Sequence, residues 1–226
     1  MTGPNPLDYG WWLASRSAGI VALAAVSISV IIGLMMANGL PRRPGAKRQL
    51  LALHESTALA GLVAIAVHGL TLLGDAFLHP TLQSIAIPFT LSYRPAFTGL
   101  GVVAGYLAAF LGLSFYARRR IGAKLWRKLH RATVAVWALA VIHTLGSGTD
   151  ASQPWMQAIL LITGVPIVAL FVRRVLAKPG TRRTPAPRPA TDERAAAARR
   201  LAAAQERAAR RRERPRVAAA TSEAGR

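Results

Sequence analysis

Four of the five histidines of this chain fall into two pairs within otherwise apolar segments: His54 and His68 are fourteen residues apart, and His130 and His143 thirteen. An imidazole at bilayer depth is costly without a partner, so histidines in such segments point to a ligated group. At about 1.5 Å rise per residue, each pair covers roughly 20 Å of helix. That places one imidazole near each face of a hydrocarbon core ~30 Å thick. Two such helices running the same way would present His54 level with His130 and His68 level with His143. Two imidazoles at each level are the axial ligands of a six-coordinate haem iron, and ligation of that kind suits electron transfer better than substrate chemistry at the metal.

Other chemistries fit these residues less well. His54-Glu55-Ser56-Thr57-Ala58 begins like the zinc-protease motif H-E-x-x-H, but alanine stands where the second ligand should be. The chain has no cysteine, which excludes disulfides, iron–sulfur clusters and covalent C-x-x-C-H haem, so a haem here must be held non-covalently. His79, beside Pro80, lies outside the paired pattern and reads as a surface residue. Arg16 and Arg94 toward the outer level, and Arg131 with Arg127 and Lys128 toward the inner one, are candidate partners for haem propionates. Snorkelling and loop charge account for the same residues without a cofactor. Helical phase adds a condition. Fourteen residues keep His68 within ~40° of His54, whereas thirteen leave His143 about 140° from His130 on an ideal helix. The helix carrying the second pair must therefore be distorted or the two haems offset; otherwise a single haem binds.

The elements that must position these residues are membrane helices. Of 226 residues, 52% are hydrophobic, yet the formal charge is +20, and the two populations are segregated along the chain. The pattern predicts an all-α polytopic bundle with five spans at about 12–36, 50–73, 97–117, 129–147 and 155–176. Trp11, Trp12, Tyr93, Tyr116, Trp126 and Trp155 stand at span ends, where interfacial aromatics are expected. The first run has Asp8 and no basic residue before it, and Arg42 and Arg43 after it, so it reads as a retained helix and not a cleaved signal. Short-loop charge gives the orientation: residues 41–48 and 118–128 are basic, residues 74–96 carry only Arg94, and residues 148–154 carry no basic residue. The N-terminus is thus expected outside and the C-terminal tail in the cytoplasm of a multi-pass cell-membrane protein. The 74–96 connection, with its apolar Ile85-Ala86-Ile87, is expected to lie along the outer surface.

Residues 1–176 form the expected membrane domain, and residues 177–226 a basic tail. Pro179, Pro185, Pro187 and Pro189 predict a stiff linker. The Ala-, Arg- and Glu-rich stretch 191–214 favours helix, with Glu206 and Arg210 at i,i+4, but has no apolar stripe to pack. A flexible, largely solvated tail is expected, with enough positive charge to attract anionic lipid. No nucleic-acid-reading module accompanies it.

The paired histidines, together with Leu129-His130-Arg131, Tyr93-Arg94-Pro95 and the turn Gly146-Ser147-Gly148-Thr149-Asp150, resemble the ferric reductase-like transmembrane domain family. That group includes the membrane domains of ferric reductases and NADPH oxidases and the haem subunit of the bacterial methionine sulfoxide repair system. The likeness covers roughly residues 9–176. It implies two b-type haems held by His54, His68, His130 and His143, passing electrons across the membrane, with ferric iron among the expected acceptors. The sequence departs from the family in having five spans where many relatives have six, and in placing Glu55 after His54 where arginine is common. It also carries no flavin- or nicotinamide-binding domain, so the expected electron donor is a separate flavoprotein or quinol. Two further readings stand beside the oxidoreductase: a haem-binding anchor for a periplasmic-type reductase partner, and a haem-free adaptor that works through its basic tail.

Overall fold

The computed structural model describes residues 9–41, 43–177 and 198–208. Among the described residues the chain is helical throughout, with no strand. In order, the helices are α1 (Gly10–Ala37), α2 (Ala46–Leu72), α3 (Leu82–Ala86), α4 (Pro95–Ile121), α5 (Ala123–His130), α6 (Thr133–Ser147) and α7 (Pro154–Leu176). Five segments are long and apolar enough to cross a bilayer: α1, α2, α4, the α5–α6 stretch, and α7. This is a membrane protein. Residues 198–208 form a separate exposed helical segment. Asp8, Arg42, the proline linker at 179–189, Arg210 and the remainder of the expected tail helix lie outside the described residues.

Sequence punctuation sets most of the helix ends. Pro95 and Pro154 open α4 and α7, where a missing N–H leaves no bond unmade. Gly45 and Gly122 take positive φ at helix boundaries. Arg118, Arg119 and Arg120 fill the last turn of α4, where they favour the negative end of its dipole.

The fourth expected span, 129–147, is not one helix. The basic stretch taken from the sequence as a loop is the last turn of α4 followed by α5, and α5 ends at His130. In α5, Leu125, Trp126 and Leu129 form an apolar side and Lys124, Arg127 and Lys128 a basic one, the pattern of a helix lying at an interface. Arg131 and Ala132 join it to α6. Ala132 N–H donates to Leu129 O at 2.9 Å, Val134 to Arg131 O at 3.5 Å and Ala135 to Ala132 O at 2.9 Å. Such i→i−3 bonds wind the chain by about 120° per residue instead of 100°. This distortion lies between His130 and His143, and is one of the alternatives that their spacing left open.

The bundle is built on α1. It lies along α2 as an antiparallel hairpin and also touches α6 and α7, while α4 pairs with α6. Val30, Leu34 and the fully buried Ile167 of α7 form its best-packed point, with Val134 and Trp137 of α6 against them. Small polar groups are buried among the apolar ones: Ser15, Ser27, Ser29 and Ser114 are inside, and Trp137 Nε1 donates to Ser27 Oγ at 3.1 Å. Many large apolar side chains nevertheless face outward, as with Leu161 and Ile162 of α7, exposed by 63% and 73%. Such an arrangement is stable only where the solvent is itself apolar, and small residues let the helices approach closely.

The 74–96 connection packs down upon the bundle. The capping box of Thr81 and Ser84 forms α3, Tyr106 Oη donates to Ala86 O at 2.6 Å, and Phe89 lies over Gly99. Close helix approach yields a test. A Cβ at Gly61 would stand 3.1 Å from Val26 Cγ2, so Gly61→Leu should destabilise the α1–α2 hairpin by about 1–3 kcal/mol. Thermal unfolding in detergent should show a lowered Tm, whereas Leu59→Ala on the exposed side of α2 should have little effect.

Candidate haem-ligand site

The four histidines meet in two pairs. The rings of His54 and His130 are 5.9 Å apart between centres with planes at 88°, and those of His68 and His143 are 6.3 Å apart at 71°. All four side chains are half-buried. The His54–His130 level lies at the end of the bundle that carries α5, and the His68–His143 level at the opposite end, near α3 and the 146–150 turn.

Three of the four rings are held in the same way. His68 Nδ1 lies 2.8 Å from Ser15 O, His54 Nδ1 2.8 Å from Ser29 O, and His143 Nδ1 2.9 Å from Phe97 O. A carbonyl only accepts, so each of these Nδ1 atoms carries the proton and each Nε2 presents its lone pair. The two serines close the grip from the other side: Ser15 Oγ donates to His68 O at 3.0 Å and Ser29 Oγ to His54 O at 3.3 Å.

A helix carbonyl is normally covered by the side chain four residues on, because every Cβ leans toward the helix N-terminus. Here that residue is glycine each time. A Cβ at Gly19 would stand 3.0 Å from His68 Nδ1, at Gly33 3.2 Å from His54 Cε1, and at Gly101 2.5 Å from His143 Nδ1. Ser15 with Gly19 and Ser29 with Gly33 thus form a repeated S-x-x-x-G motif, fourteen residues apart on α1, matching the spacing of His68 and His54 on the antiparallel α2. Sequence reading missed these residues. The signal was a pair of identical short motifs at the histidine spacing.

Arg16 and Arg94, at the His68–His143 end, are tied into the protein. Arg16 Nε and Nη2 each donate to an Asp150 carboxylate oxygen at 2.6 Å, and the guanidinium also lies 5.1 Å from the Trp12 ring centre. Arg94, in the left-handed region at φ 43°, donates from Nη1 to Gly146 O and lies over Tyr93. Both therefore clamp the 146–150 turn, with part of their donor capacity left for another anion. Arg131 is exposed at the α5–α6 junction, next to His130. His79 lies in the 74–96 connection, belongs to neither ring pair and also takes positive φ, at 40°.

This donor set fits haem. Metal–imidazole bonds of about 2.0 Å on both sides of one iron require ring centres roughly 6.2 Å apart, close to the two observed separations. The carbonyl-bound Nδ1 atoms are the outer-shell contacts that orient metal-ligating histidines. Among the described residues no three His, Asp or Glu side chains converge to hold a metal ion. Two axial imidazoles suffice only where a macrocycle supplies the remaining ligands. Comparisons of the chain with protein-family models, curated proteins and solved structures found no match.

The glycine positions test this geometry. Gly101→Ala and Gly19→Val should each weaken haem binding by about 10–100-fold, the usual effect of disturbing outer-shell support. Ser15→Ala keeps the Ser15 carbonyl and should change it only a few-fold. Haem titration into the purified apoprotein measures both; unchanged affinity in Gly101→Ala would contradict the geometry.

Proposed function

We propose that the chain is a transmembrane haem-b oxidoreductase subunit that carries electrons across the bilayer through two bis-histidine haems. The observation that carries this reading is the pair of facing imidazole couples, 5.9 and 6.3 Å between ring centres, with three Nδ1 atoms committed to carbonyls. His54 and His130 would hold the inner haem, and His68 and His143 the outer one. When bound, haem supplies one-electron Fe(III)/Fe(II) exchange. The protein's part is to fix the imidazoles and, at His54, His68 and His143, to keep Nε2 unprotonated. Arg16 and Arg94 on the outer side, and Arg131 on the inner side, would take propionates through the donors that their protein partners leave over.

By the positive-inside rule, the basic ends of α4 and α5 favour a cytoplasmic side for the inner level. Electrons would arrive there from a flavoprotein or quinol and leave outside to an acceptor such as ferric iron. Purified protein should bind about two haems per chain with a six-coordinate, low-spin spectrum, and His68→Ala or His143→Ala should leave about one. Well-folded protein without haem would overturn the proposal. Orientation can be checked separately, since the chain has no cysteine. Thr149→Cys should react with an impermeant maleimide added outside intact cells, and Gly122→Cys only after permeabilisation.

A further inference from the structure

His130 is held differently from the other three histidines. Fourteen residues beyond Phe97 and Gly101, which serve His143, α4 carries Leu111 and Phe115. Leu111 O accepts instead from Ser114 Oγ at 2.7 Å. Phe115 fills the place of the glycine and lies 6.0 Å from the Trp126 ring, which in turn stacks on His130 at 4.9 Å with planes 22° apart. Among the described residues no group accepts from His130 Nδ1, although that atom is buried, and the buried Trp126 Nε1 beside it is likewise unpartnered.

Both unpartnered groups belong to α5. This helix is eight residues long and amphipathic, separated from α4 by Gly122 at φ 87° and from α6 by the overwound Arg131–Ala132 junction. Its basic face suits lipid headgroups. Moving α5 toward that interface would give water to both buried N–H groups, which now forgo their hydrogen bonds. An imidazole whose Nδ1 has no acceptor is also a less basic ligand, and loss of such support weakens metal binding about 10–100-fold. His54, its opposite number, has the full carbonyl, serine and glycine cradle.

From this asymmetry we infer that His130 is the exchangeable ligand of the four, so that the inner site has a coordination position open to small neutral diatomic ligands while the outer site stays closed. The inference rests on the proposed function and assigns the inner site a binding capacity that the bis-histidine reading alone does not include. Carbon monoxide is the probe, since it binds reduced haem iron wherever a position is free. The experiment uses the full chain in detergent with the haem content measured first. After dithionite reduction, carbon monoxide should shift the Soret band of about half the haem. His54→Ala, which removes the firm inner ligand, should abolish the shift and leave about one haem per chain. His68→Ala removes the outer haem and should raise the carbon monoxide-reactive share from about half to nearly all; it stands in if the first variant does not fold. Two haems per chain with no shift would overturn this inference and leave the proposed function standing, as would a shift that survives His54→Ala or disappears in His68→Ala. Folded protein without haem would overturn both.

Discussion

The structure depends on one local problem: giving an imidazole N–H a partner inside a bilayer. Every backbone N–H in a helix interior is already bonded to a carbonyl, and no water is at hand, so the available acceptor is the second lone pair of a helix carbonyl. The side chain four residues further on normally covers it. Ser15, Ser29 and Phe97 expose theirs because Gly19, Gly33 and Gly101 have no Cβ. In each case one bond fixes the ring position, the tautomer and the distance between neighbouring helices.

The architecture follows from that bond. Since α1 supplies two acceptors fourteen residues apart and α2 two donors at the same spacing, an antiparallel hairpin satisfies both in a single register. Sliding α1 by one turn would leave both imidazoles without acceptors. On the other side, α4 performs this service once, for His143, and α6 is aligned by it. His130 has no equivalent and is placed instead by the end of α5 and its stack on Trp126. The His68–His143 end thus has both rings on carbonyls and the Arg16–Asp150 and Arg94–Gly146 ties, whereas the His54–His130 end, although it carries the Val30, Leu34 and Ile167 packing, holds His130 by a ring stack.

Charge is distributed accordingly. At the end that carries the 146–150 turn, two arginines are engaged by a carboxylate and a carbonyl, which anchors that turn beside the His68–His143 level. At the other end Arg118 is held by Phe115, while Arg119, Arg120 and the cations of α5 face outward, where they balance the helix dipole or meet headgroups. Leucine, isoleucine and valine crowd the periphery as well as the core, and serine and glycine let the helices approach, as suits a bundle whose surroundings are hydrocarbon.

Length, hydropathy and proline placement were legible in the chain as it is written, because each acts over a few neighbouring residues. They were enough for five spans, for the boundaries of α1, α2, α4 and α7 to within a few residues, and for the four histidines as the centre of interest. Thirteen-residue spacing even posed the choice between a distorted helix from His130 to His143, offset haems and a single haem. Local pattern did not reveal that the departure is a break at Arg131–Ala132, since an amphipathic eight-residue helix rich in arginine and lysine looks like a basic loop until it has a surface to lie on. Nor did it reveal the glycine cradles, or that Arg16 meets Asp150 134 residues away. Those depend on which carbonyl faces which ring across two helices, and only the packed bundle brings such groups within a hydrogen bond of one another.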